Sequence, residues 1–165
     1  MNCFAQPTGD RIMKHALIAA VLGASTLLVS GGALAQAKPE VLVKQRQAAM
    51  TLQGKYFGPL NRMATGKAPF NKDSAVRNAG YLEVLSNMAW DGFNPSTKNS
   101  TAKTRALPAI YENEAKFKEY QNQFKTGASA LHAAAKAGDE AAFKAAAGEI
   151  SKSCGGCHDD FREKR

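Results

Sequence analysis

With 165 residues, 22 Lys and Arg against 14 Asp and Glu, and a formal charge of +8, the chain has room for one domain with a real core. Its basic residues are scattered without runs, which argues against a nucleic-acid groove. A basic surface of this kind steers a protein toward acidic partners instead.

Residues 1–35 read as a removable leader. From Met13 the text MKHALIAAVLGASTLLVSGGALA opens on Lys14 and His15 and continues as an uncharged apolar stretch from Ala16 to Val29. It closes on Ala33-Leu34-Ala35, the small-x-small pattern that a signal peptidase cuts. About 20 apolar residues can also anchor in a bilayer. Gly23, Ser25, Thr26, Ser30, Gly31 and Gly32 weaken that alternative. A start at Met13, a cut after Ala35 and export to the periplasm are therefore expected, with no membrane attachment afterwards. The domain would run from Gln36 to Arg165, with a net charge of +7 once Asp10, Arg11 and Lys14 are gone. It keeps Cys154 and Cys157. An oxidising compartment does not leave thiols free, so these two are expected to be bonded to something.

Four amphipathic helices are predicted after the leader. Pro39 suits the first position of a helix, and Leu42, Arg46, Ala49, Met50, Gln53, Tyr56, Phe57, Leu60 and Met63 share its face at three- and four-residue steps. Gly66 to Pro69 breaks this segment. Asn71 or Asp73 caps a second helix that turns Ala75, Ala79, Leu82, Leu85 and Met88 inward and ends near Trp90-Asp91-Gly92. From Phe93 to Pro108, Asn, Ser, Thr and Lys dominate, which reads as a long surface loop. A third helix is predicted from Ala109 to Ala137, with Ile110, Phe117, Tyr120, Phe124, Ala128, Leu131 and Ala135 on one side. Gly138 stops it and Asp139 caps the fourth at once, so the last two helices lie antiparallel. The fourth shows Phe143, Ala147, Ile150, Cys154, Cys157, His158 and Phe161 along its buried stripe. No alternating β-run appears, and the fold class is all-α: an antiparallel up-down-up-down four-helix bundle spanning residues 36–165.

The chemistry is concentrated in Cys154-Gly155-Gly156-Cys157-His158. On a helix, residues at i, i+3 and i+4 share a face, so both thiols and the imidazole point the same way. Two thiols so spaced can add to the two vinyl groups of one haem, and the adjacent histidine then stands over the iron. Three rivals are weaker. A thioredoxin-like site needs a preceding strand. Zinc needs about four ligands, and beyond this trio the domain offers only His132, with weaker carboxylates. A plain disulfide would leave His158 as an ordinary core histidine.

With these residues placed, the sequence resembles the class II c-type cytochromes, the cytochromes c′. The likeness covers the whole domain and rests on Lys38-Pro39-Glu40, on Arg46 with Met50, on Trp90 with Phe93, and on C-x-x-C-H followed by Arg162. It implies haem c, one per chain, attached through Cys154 and Cys157 with His158 as axial iron ligand. Seven residues follow His158 and none is Met, so a sixth ligand has to come from another helix or from outside.

Several neighbours carry two readings each. Arg46, inside the first stripe, either snorkels to the surface or bonds a haem propionate, the role the family gives it. Met50 is either core filler or the distal-face residue, guarding a five-coordinate high-spin iron or ligating it directly. Arg162 either pairs with Asp159 or stands beside the proximal face. Tyr56, Phe57, Trp90, Phe93, Phe124 and Phe161 are pocket walls or plain core, and His132 is a surface or core histidine. The resemblance implies binding of NO or CO, single-electron transfer with acidic redox partners, a role in nitric oxide defence and a homodimer through the first two helices. A low-spin electron carrier with Met50 on the iron is the main alternative. No acid/base pair or nucleophile is legible, so no enzymatic activity is assigned.

Overall fold

A computed structural model describes residues 37–164, and the expected leader lies outside them. Helix α1, Pro39–Ala64, starts on the proline, whose fixed φ suits a first turn, and Glu40 complements the positive end of the helix. Helix α2, Lys72–Leu85, is capped by Asn71, whose side chain accepts from the Ser74 N–H at 2.8 Å. Helix α3, Glu114–Ala137, ends at Gly138 in the left-handed conformation, φ 74°. Helix α4, Glu140–Phe161, begins on the Asp139 cap, which accepts from Ala142 N–H at 2.9 Å. Contacts join α1 to α2, α2 to α3, α3 to α4 and α4 back to α1, which closes the four-helix ring.

Three expectations change. The second helix stops at Leu85, because the backbone tightens into three-residue turns at Asn87 and Met88. The helical register fails there, and Met88 turns out to solvent instead of inward. The third segment is two pieces: a single turn, Ala109–Glu112, then α3. Asn113 separates them with φ −129° and ψ 60°, and its side chain caps α3 by accepting from Lys116 N–H. The loop after α2 is not simply surface. It forms two 3₁₀ turns, Trp90–Phe93 and Pro95–Asn99, and buries Gly92 and Thr97.

Leu60, Leu82, Leu131, Phe143 and Ile150 form one fully buried cluster, each contributing roughly 1.5–3 kcal/mol by leaving water. Val43, outside the predicted stripe, is also fully buried. A second cluster centres on Ile110, Phe117 and Phe161, and Trp90 packs against both.

Candidate functional site

A cavity of about 540 Å³ lies beside these two clusters, within the roughly 300–1,000 Å³ usual for ligand sites. Helix α4 supplies Cys154, Cys157, His158 and Phe161 to it, as its 3.6-residue period requires. Helix α1 supplies Arg46, Met50 and Phe57, α3 supplies Phe117 and Phe124, and the loop supplies Phe93 and Arg105. Nineteen described residues line it, three of them arginines and none of the nineteen a carboxylate.

Both cysteines are free and half-buried. Burial pushes the Cys154 thiol up to about 11, and burial with the neighbouring Cys154 and Asp160 does the same at Cys157. The reactive thiolate is therefore scarce at neutral pH. His158 is exposed at the rim of the cavity instead of lying on the buried stripe; partial burial, then the Arg162 guanidinium, holds its imidazole below its usual range.

Ten of the predicted site residues meet at this cavity: Arg46, Met50, Phe57, Phe93, Phe124, Cys154, Cys157, His158, Phe161 and Arg162. Two do not. Tyr56 turns toward α2 and packs at a tilt against Tyr81, ring centroids 4.9 Å apart. Trp90 stands one layer behind, edge-on to Phe117 and Phe124, with its indole N–H donating to the Ser86 carbonyl.

Arg46 does not snorkel; only 3% of it is exposed. Its guanidinium donates to Gly92 O at 2.8 Å and Thr104 Oγ1 at 3.0 Å, with longer bonds to Thr97 and Tyr111. It also lies 4.5 Å from the centre of the Phe93 ring. A Cβ on Gly92 would stand 2.5 Å from that of Arg46, so only glycine lets the loop come this close. All of these acceptors are neutral.

Arg162 closes α4 and forms an antiparallel bridge with Ala106. It makes no ion pair with Asp159 among the described residues. The bridge carries Thr104, Arg105 and Ala106 to the cavity, a wall that sequence reasoning missed. No periodicity announces a pairing between residues 56 apart. Gln47, Thr51, Gly54 and Ile110 also line the cavity, and they carry no chemical signature in sequence. His132 sits elsewhere, its Nδ1 2.6 Å from Glu83 Oε2.

The donor set fits haem c: two unbonded thiols, an imidazole beside the second, and an apolar cavity edged with cations. Comparison with known proteins decides the family. The family model described as cytochrome c′ matches residues 41–162. The chain belongs to the cytochrome c′ family. The cytochrome c′ of Rubrivivax gelatinosus is 40% identical over 127 residues, covering 77% of this chain and 98% of the relative. Its crystal structure superposes with a TM-score of 0.73 over 76% of this chain and 98% of that one. The cytochrome c′ of Alcaligenes xylosoxydans xylosoxydans is 38% identical over 129 residues, covering 78% of this chain and 98% of the relative. Solved forms from Alcaligenes xylosoxidans include a nitric oxide complex of a point mutant, TM-score 0.70, and a carbon monoxide-bound variant, TM-score 0.69. Each is 38% identical and covers 78% of this chain and 98% of its own. As a cytochrome c′, the chain is a four-helix-bundle c-type cytochrome with covalently attached haem c.

Proposed function

We propose that this cytochrome c′ is a periplasmic haem protein that binds nitric oxide or carbon monoxide and passes single electrons. The observation that carries the reading is the meeting of Cys154, Cys157 and His158 from α4 with Met50 and Phe57 from α1 at one cavity. Cys154 and Cys157 would hold the haem through thioethers, and His158 would offer a ring nitrogen to its iron. Haem bound there supplies an iron that takes diatomic ligands and exchanges one electron at a time. Arg46, Arg105 and Arg162 line that space, and no carboxylate is among the described lining residues; Arg46 would bond a haem propionate and Arg162 would stand beside the proximal face. Arg46 is the inner partner in this reading, since its present acceptors leave its charge uncompensated.

Met50 and Phe57 would make that side of the site apolar and so disfavour water and anions, while NO and CO need no hydrogen-bond donor there. Detoxifying nitric oxide in the periplasm is the role this chemistry serves. Because Met50 lines the cavity, a second reading stands: Met50 sulfur as sixth ligand in a low-spin electron carrier. Absorption spectra of the purified protein in both oxidation states separate the two. A broad high-spin Soret band with ready CO binding supports the gas-binding reading. A sharp low-spin spectrum with a methionine-sulfur band at the red edge, and no CO binding, replaces it with the second.

The partner surfaces follow the same logic. Leu52 on α1, Tyr81 and Val84 on α2, and Met88 just beyond it leave large apolar side chains in water. A second copy of the chain, docked through α1 and α2, covers them. The basic surface steers acidic redox partners.

A further inference from the structure

Tyr120 of α3 lies against the attachment turn. A Cβ built on Gly156 would meet Tyr120 Cε1 and Oη at 2.8 Å and Cζ at 3.0 Å, whereas one built on Gly155 meets nothing within 4 Å. The ring is not free to swing away. Its hydroxyl donates to Asp160 Oδ2 at 2.8 Å, and Lys116 Nζ holds the same carboxylate oxygen at 2.9 Å. The Ser153 hydroxyl donates to the Tyr120 carbonyl oxygen at 3.2 Å. The tyrosine ring also packs edge-on to Phe161, centroids 6.2 Å apart. One residue of α3 thus touches α4 at positions 153, 156, 160 and 161, interleaved with 154, 157 and 158. Glycine inside a helix is unfavourable relative to alanine. The tyrosine ring gives Gly156 a reason that Gly155 lacks.

We propose that Tyr120 is a positioning residue for the haem-bearing turn: its ring, seated in the notch at Gly156, sets where Cys157 and His158 stand in the cavity. The proposal rests on the reading that these residues hold the haem. Small displacements matter because supporting contacts fix a site to within about 0.5 Å. Adding a methyl at 156 forces either the ring or the helix to give by about that amount.

The test uses the haem-loaded full chain with Gly156→Ala, Gly155→Ala, Tyr120→Phe, and Gly156→Ala combined with Tyr120→Leu. Covalent haem is read by mass, and the iron site by the iron–histidine stretching band and the midpoint potential. Gly155→Ala, whose added Cβ meets no protein atom within 4 Å, is expected to raise the melting temperature and to shift band and potential less than Gly156→Ala does. Gly156→Ala is expected to shift both, and removal of the ring in the double variant to bring them back toward the native values. Tyr120→Phe, which keeps the ring but loses the bond to Asp160, is expected to shift them less. Unchanged band and potential in Gly156→Ala, with only the melting temperature lowered, overturn the proposal. If Gly156→Ala yields no haem-loaded protein, unchanged values in a Tyr120→Leu single variant, which removes the ring, overturn it. A native chain with the mass of bare polypeptide overturns the haem reading itself. The opposite melting shifts of the two glycine variants would still report the packing.

Discussion

Arg46 puts a full charge into a helix face that is otherwise mostly apolar, and neutral oxygen acceptors surround it. Hydrogen bonds to a charged group contribute about 1.5–3 kcal/mol each, offset in part by the desolvation of the guanidinium. Arg46→Met in the haem-loaded protein is expected to lower stability by roughly 3 kcal/mol in urea unfolding. Arg46→Lys should restore less than half of that, because a point charge cannot reproduce the planar fork. The sequence made this arginine conspicuous through its place in the α1 stripe. Its bonding partners were not legible, because Gly92, Thr97, Thr104 and Tyr111 stand 46 to 65 residues away. Tyr56 failed as a wall for a related reason: periodicity assigns a broad face, and Tyr56 lies on the margin of it nearest α2.

Helical spacing was enough to place the chemistry at the level of elements. Cys154, Cys157 and His158 share a face because i, i+3 and i+4 always do, and Gly138 with Asp139 marked the α3–α4 junction by cap chemistry alone. The break at Asn113 was hidden, since its side chain bonds the backbone inside an otherwise continuous helical pattern. Between α2 and α3, His132 and Glu83 form a link no spacing rule reveals. The histidine bond, followed by the Ser129 hydroxyl, holds the Glu83 carboxyl below its usual range. A depressed folded value means a contribution that is full above the unfolded value of 4.5 and lost as pH falls through the lower one. Between about pH 5.5 and about pH 3.5 the urea midpoint should therefore drop less in Glu83→Gln than in the native protein. Equal drops in the two proteins would refute this link as a source of acid sensitivity.

For the whole molecule, the exposed apolar side chains of α1 and α2 set the expected assembly. Val84 is 64% exposed, the highest among the exposed large apolar residues. Val84→Asp should bring the mass measured by light scattering down from two chains to one without altering the haem spectrum. A native protein that already weighs one chain would rule out the pairing. Architecture was legible from patterning, whereas the wall at 104–106 was not, because it depends on a long-range pairing. That wall is tied at two ends of the fold. Leu107 N–H donates to Phe161 O at 2.9 Å and Glu163 N–H to Arg105 O at 2.8 Å, while Arg46 and Gln47 of α1 hold Thr104 Oγ1 at 3.0 Å and Lys103 O at 2.8 Å. Loosening residues 161–163 would therefore free one margin of the cavity and leave the other fastened to α1.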